Sequence, residues 1–162
     1  MSLISKLFGG QKIDCPRCLG KGEVDRDDIK RFNKELKWIP GKCAYCYGTG
    51  KVSSRMASKV KADNTYLTTD IPQEERKRLF NADFGAIQRA DYYDAQIDNF
   101  IKRIEYLYFV GNIDAHKIAD FYLIPKPDSE ITVEERQEIF EYVEKVIEKK
   151  KTDEQKDAKD YC

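Results

Sequence analysis

Over most of this chain the apolar residues recur every three or four positions, the rhythm of amphipathic helices. Asp70-Ile-Pro72-Gln-Glu-Glu puts proline and carboxylates into a first turn, so a helix is expected from there to about Asn81. A longer helix covers about 83–110, with Ile87, Ala90, Tyr93, Ile97, Phe100, Ile101, Ile104, Leu107 and Tyr108 at the helical period and Gly111 as its terminator. A third spans about Asp114 to Leu123 and is stopped by Pro125 and Pro127. A fourth starts at Thr132, where Glu135 completes a capping box. It turns Val133, Ile139, Phe140, Val143 and Ile147 inward and dissolves at Lys149-Lys150-Lys151, leaving 151–162 as a flexible tail.

The first part of the chain follows another pattern. Ile29, Phe32 and Leu36 mark one short helix within Asp25–Lys37, with aspartates at its start, lysines later, and Pro40-Gly41 as its stop. Leu3, Ile4, Leu7 and Phe8 share one side of a turn too short to be stable alone. That turn either docks on the protein or serves as a partner-binding tag, and docking is favoured because exposed apolar clusters are usually covered. Residues 53–70 are polar and aperiodic and read as a linker or extended arm. The expected fold is mostly α with a small, β-hairpin-like knuckle module and a helical C-terminal bundle. Its parts are a module at 1–62, a helical domain at 63–150 and a tail at 151–162.

What separates the first part is a phrase that occurs twice. Cys15-Pro-Arg-Cys18-Leu-Gly20-Lys-Gly22 returns as Cys43-Ala-Tyr-Cys46-Tyr-Gly48-Thr-Gly50, each followed one residue later by valine, Val24 and Val52. Two Cys-x-x-Cys pairs supply the four thiolates that one tetrahedral zinc requires. Each pair puts two sulfurs on one tight turn. The glycines let the backbone fold back at positive φ without crowding the sulfurs. A dithiol oxidoreductase is the competing reading, but such motifs open a helix in a βαβ setting, and no such pattern surrounds these. Four sulfurs close the coordination sphere, so the metal is read as one structural Zn²⁺.

Cys-x-x-Cys-x-Gly-x-Gly resembles the repeat of the DnaJ-type cysteine-rich zinc domain, over roughly Lys12 to Val52. The resemblance assigns the ligand role to Cys15, Cys18, Cys43 and Cys46 and the knuckle-turn role to Gly20, Gly22, Gly48 and Gly50. That family usually carries four repeats and two zinc sites; this chain has two repeats, enough for one. It has no J-domain, because the His-Pro-Asp tripeptide is absent and the single histidine lies in Asp114-Ala-His116-Lys. The resemblance therefore implies a zinc-stapled binding module of chaperone-like or assembly-factor type more than a co-chaperone.

Charge sharpens the choice of partner. The 162 residues are neutral overall, yet 1–62 hold 14 Lys/Arg against 6 Asp/Glu and 63–162 hold 15 against 23. A basic module beside an acidic remainder can dock on an acidic protein, on nucleic acid, or on another copy of itself. Arg17, Lys21, Lys42 and Lys51 with Tyr45 and Tyr47 are the candidate partner contacts. Aromatic rings among cations are also the ingredients for stacking on unpaired bases, so single-stranded nucleic acid is the alternative partner. Trp38 beside Cys43 either caps the metal or, the simpler reading, anchors packing. The aromatics Tyr92, Tyr93, Phe100, Tyr106, Tyr108, Phe109, Phe121 and Tyr122 read first as core and second as a groove for a partner helix.

No stretch is apolar enough to span a membrane or to form a secretory signal core. Four of the five cysteines belong to the metal motif, and Cys162 reads as a free thiol, a usage that suits a reducing cytoplasm. No Ser/His/Asp set, phosphate loop or paired-carboxylate signature stands out, and His116 reads as a surface residue. The expectation is a non-enzymatic, zinc-stabilised protein-binding or adaptor protein, with nucleic-acid binding and thiol–disulfide exchange as the alternatives.

Overall fold

The computed structural model describes residues 11–123 and 130–160. The apolar turn at 2–8, the stop signal at Pro125 and Pro127, and Cys162 lie outside the described residues. The protein is mostly helical with two small sheets. In chain order the elements are β1 (Lys12–Asp14), β2 (Glu23–Val24), α1 (Arg26–Arg31), β3 (Gly41–Lys42), β4 (Lys51–Ser53), α2 (Ser54–Lys59), α3 (Gln73–Phe80), α4 (Phe84–Glu105), a π-helical turn (Tyr106–Val110), α5 (Ala115–Tyr122) and α6 (Val133–Asp160). They form two compact units, one ending at Gln96 and the other beginning at Ile97.

In the first unit each short strand pairs with a strand of the other repeat. β1 runs antiparallel to β4, with Ile13 opposite Val52, and β2 runs antiparallel to β3, with Val24 opposite Gly41. Helix α1 is shorter than its hydrophobic spacing suggests. Asp25 caps it by accepting from the amides of Asp27 and Asp28, and Asp28 reciprocates to the Asp25 amide in a capping box. Ile29 is buried, while Phe32 ends the helix and meets Trp38 edge to face at 5.6 Å. Trp38 packs against the core of this unit, which is the anchor role.

The segment read as a linker is integral to this unit. Residues 54–59 form α2, capped by Ser53, and Val60, Thr65 and Leu67 are buried in the stretch that follows. Its polarity is satisfied locally and by long-range side-chain donors, so no helical or strand period marks it. Helices α3 and the start of α4 complete the unit. Asp83 caps α4 at Ala86 N–H, and Arg89 grips Glu75 on α3 with two bonds of 2.7 and 2.8 Å. The first unit therefore extends past residue 62.

The second unit is helical, with Ile101, Ile104, Ile118, Ala119, Val143, Val146 and Ile147 as its buried apolar residues. α5 packs on α6. Thr132 and Glu135 form the expected capping box, at 3.0 and 3.1 Å. Helix α6 does not dissolve at the lysines. It continues to Asp160, because Lys149 pairs with Asp153 and Lys150 with Glu154 four residues on. Val133, expected inward, is exposed. Tyr92, Tyr93, Tyr106, Phe109 and Phe121 are also exposed rather than core. The positive-φ residue after α4 and its π-helical turn is Asn112, not Gly111, whose φ is −78°.

Candidate metal centre

The four cysteines of the repeated phrase converge. All four sulfurs lie within 4.8 Å of one another and all four residues are buried. Cys15 and Cys43 Sγ are 3.8 Å apart, as are Cys18 and Cys46 Sγ. A zinc–thiolate bond of about 2.3 Å gives a tetrahedron whose sulfur–sulfur edges are about 3.8 Å, so the donor set fits that ion. No further group of three or more metal-ligating side chains occurs among the described residues.

The bonds that frame the sulfurs recur in both knuckles. Cys15 N–H donates to Gly50 O at 2.8 Å, and Cys43 N–H to Gly22 O at 2.9 Å. Gly22 N–H donates to Cys18 Sγ at 3.3 Å, and Gly50 N–H to Cys46 Sγ at 3.2 Å, the donors a thiolate ligand needs in its outer shell. Gly20, Gly22, Gly48 and Gly50 all take positive φ, and so do Leu19 and Tyr47 at 52° and 54°. At Gly22 and Gly50 the glycine is also a matter of space. A Cβ at Gly22 would come within 2.6 Å of Gly48 O, and one at Gly50 would collide with Gly20 O.

Around this core lies a shell of side chains that the sequence motif does not announce. Arg31 donates to the carbonyls of Pro16 (3.2 Å) and Arg17 (2.8 Å). Arg76 donates to the matching carbonyls of the second knuckle, Ala44 and, at 3.0 Å, Tyr45. Each Cys-x-x-Cys turn is thus clamped by one guanidinium. The third residue of each knuckle reaches into one segment. Arg17 donates to Ala62 O (2.7 Å), Asn64 O (2.6 Å) and Leu67 O (3.0 Å), and Tyr45 O–H to Val60 O (2.5 Å). Arg17 also stacks on Trp38 and Tyr45.

Electrostatics agrees with the geometry. Four thiolates around one divalent ion carry a net charge of −2, and the buried Arg17 and half-buried Arg76 supply two positive charges beside it. Burial pulls both guanidinium pKa values down; the Cys43 and Cys15 sulfurs push Arg17 back up, and Tyr47 followed by the Cys43 and Cys46 sulfurs pushes Arg76 back up. Protons compete with a metal for the sulfurs. Its hydrogen bond to Cys43, reinforced by burial, holds the Cys15 thiol above its ordinary range, and the same bond holds Cys43 below it.

The candidate contact residues divide. Arg17 and Tyr45 are 3% and 1% exposed and spend their polar groups internally, which removes them as surface contacts. Lys21 is bound to Asp25 and the buried Asp28, and Lys51 to Asp14. Lys42 and Tyr47 remain at the surface and meet each other, the ammonium 3.7 Å from the ring centroid. Arg31 and Arg76 are the residues the sequence reading missed. The only hint was that Arg17 and Tyr45, both long and polar, occupy the same place in the two repeats. No helix among the described residues is long and apolar enough to cross a membrane. No family model, curated protein or solved structure matches the chain.

Proposed function

We propose that this protein is a non-enzymatic binding or assembly factor in which one structural zinc, held by Cys15, Cys18, Cys43 and Cys46, makes a rigid platform for a protein partner. The observation that carries this reading is the set of four buried sulfurs within 4.8 Å of one another, with two cross-knuckle pairs at 3.8 Å. Such a set leaves no coordination position for a substrate. Its matched guanidinium clamps stiffen both knuckles rather than open a cleft. The repeated Cys-x-x-Cys-x-Gly-x-Gly phrase and its twofold arrangement support placing the module with DnaJ-type half-sites, reduced to one metal.

Nucleic-acid binding now rests on Lys42 and Tyr47, because Arg17 and Tyr45 are buried and Lys21 and Lys51 are ion-paired. Thiol exchange is opposed by the burial of all four sulfurs. The test starts with metal analysis, with one zinc per chain expected. The zinc-loaded chain is then used for affinity capture from its native host, beside Cys18→Ser. A protein recovered by the loaded chain and not by the variant supports the reading; recovery of the bait alone overturns it. Salt-sensitive binding of single-stranded RNA or DNA would move the assignment to nucleic acid.

A further inference from the structure

Beside the metal module lies a cavity of about 310 Å³, floored by Val24, Trp38 and Leu67 and rimmed by Ile39, Lys42 and Asp70. Its size is at the small end of binding pockets and suits one bulky apolar side chain. Ile39 stands at the rim 84% exposed, an apolar residue with nothing over it. One wall is strand β3, one edge of which is taken by β2. Cys43 N–H points to that side, donating to Gly22 O, so the N–H and C=O of Lys42 point to the other. One face of the strand is also uncovered, since a Cβ on Gly41 would meet nothing within 4 Å.

The surroundings are cationic. Arg17, Lys37 and Lys42 line the cavity against the single carboxylate of Asp70, although Arg17 is committed to three carbonyls and Lys37 lies 3.7 Å from Asp94. Lys42 leads on to Tyr47, whose ring is also approached by Arg76, at 5.0 Å. An apolar hole, a free strand edge and a cation over an exposed ring thus adjoin one another. Each answers a different part of one ligand: a side chain, an extended backbone and a carboxylate.

We propose that this surface binds an extended peptide segment of a partner protein, which adds a strand to β3, buries one bulky apolar side chain in the cavity, and sets a neighbouring carboxylate against Lys42. Strand addition supplies backbone hydrogen bonds and the pocket supplies selectivity. The proposal rests on the protein-binding reading above and names its site. The opposite charge is on the ligand because the exposed ammonium of Lys42, bound only to the face of the Tyr47 ring, is on this side. An acidic residue adjacent to the anchor therefore gains, and a basic one is repelled.

The probe is a phage-displayed random peptide library, panned against the zinc-loaded chain of 162 residues. Enriched peptides are expected to share Leu, Ile, Phe or Trp next to, or one residue from, Asp or Glu. A synthetic peptide of that pattern should lose about tenfold or more in affinity against Ile39→Glu and against Lys42→Glu, as for a hot-spot contact, and little against Leu19→Glu. It should also slow hydrogen exchange at the Lys42 amide. Zinc content is measured for each variant, so lost folding is not mistaken for lost contact. No enrichment, or enriched peptides indifferent to Ile39→Glu and Lys42→Glu, overturns the proposal, as does displacement of the peptide by a single-stranded oligonucleotide. Deletion of residues 1–10 that raises affinity by about tenfold would also overturn it, by showing that the chain fills the cavity itself. A partner captured from the host that is retained by both variants leaves the protein-binding reading standing and this site refuted.

Discussion

The two units of this molecule solve the same problem by opposite means. In the second, helices satisfy their own backbone, and a small set of apolar side chains such as Ile104, Val143 and Val146 is enough to pack them. In the first, much of the backbone is irregular, and its buried carbonyls must find donors elsewhere. Arg17, Arg31, Arg76 and Tyr45 are those donors, serving Pro16, Arg17, Ala44, Tyr45, Val60, Ala62, Asn64 and Leu67. Among the described residues, the unit organised around four clustered sulfurs therefore buries charge, at Arg17 and Asp28, that the helical unit keeps at its surface. The sulfurs make that burial tolerable, because their negative charge offsets the guanidinium groups.

The strongest way to break this comparison is to remove the metal. Cys46→Ser should abolish zinc binding and unfold the first unit, a loss on the order of 10 kcal/mol of metal-linked folding free energy, while the helical signal of the second unit persists. Hydrogen exchange resolved by segment, alongside circular dichroism, would check it, and a single cooperative loss of both units would contradict it. Acid should act in the same direction. Metal loading requires deprotonated sulfurs, so zinc should be released as pH falls and regained as it rises, followed with a zinc-sensitive dye.

The converse test strikes the second unit. Ile104, fully buried, should cost about 2–5 kcal/mol as Ile104→Ala, with zinc stoichiometry unchanged. A variant that also sheds metal would mean the two units are not independent. A subtler cut separates the metal from its shell. Arg17→Gln strands three carbonyls and should cost on the order of 3 kcal/mol. Its signature is faster amide exchange across 60–67 in a chain that still carries one zinc. The smallest effect is expected at Thr132→Ala, which loses the N-cap of α6 for about 1 kcal/mol and should lower only the second unit's melting temperature.

Much of this was legible before any coordinates. The ligand set, the four turn glycines and the capping box at Thr132 are local, so residue type and spacing carry them. The role of 53–70 was not legible, because its buried residues, Val60, Thr65 and Leu67, follow neither the helical nor the strand period. Nor were the arginine clamps, since Arg31 and Arg76 meet their carbonyls 14 to 32 residues away. The lysine run at 149–151 misled in the other direction. A block of like charge suggests fraying, but acids four residues on pair with Lys149 and Lys150 and carry the helix to Asp160.

The sequence alone determined that four sulfurs would cluster and which residues would supply them, because the Cys-x-x-Cys turn and positive φ at glycine are properties of a few neighbouring residues. Only the tertiary structure decided which of the cations around that site face a partner. Arg17 and Tyr45 looked like an adhesive surface in the linear chain and proved to be the inner staples of the module. The physical reason is that a cation's role depends on which carbonyls and rings surround it. Here those come from segments the chain brings together only when it folds.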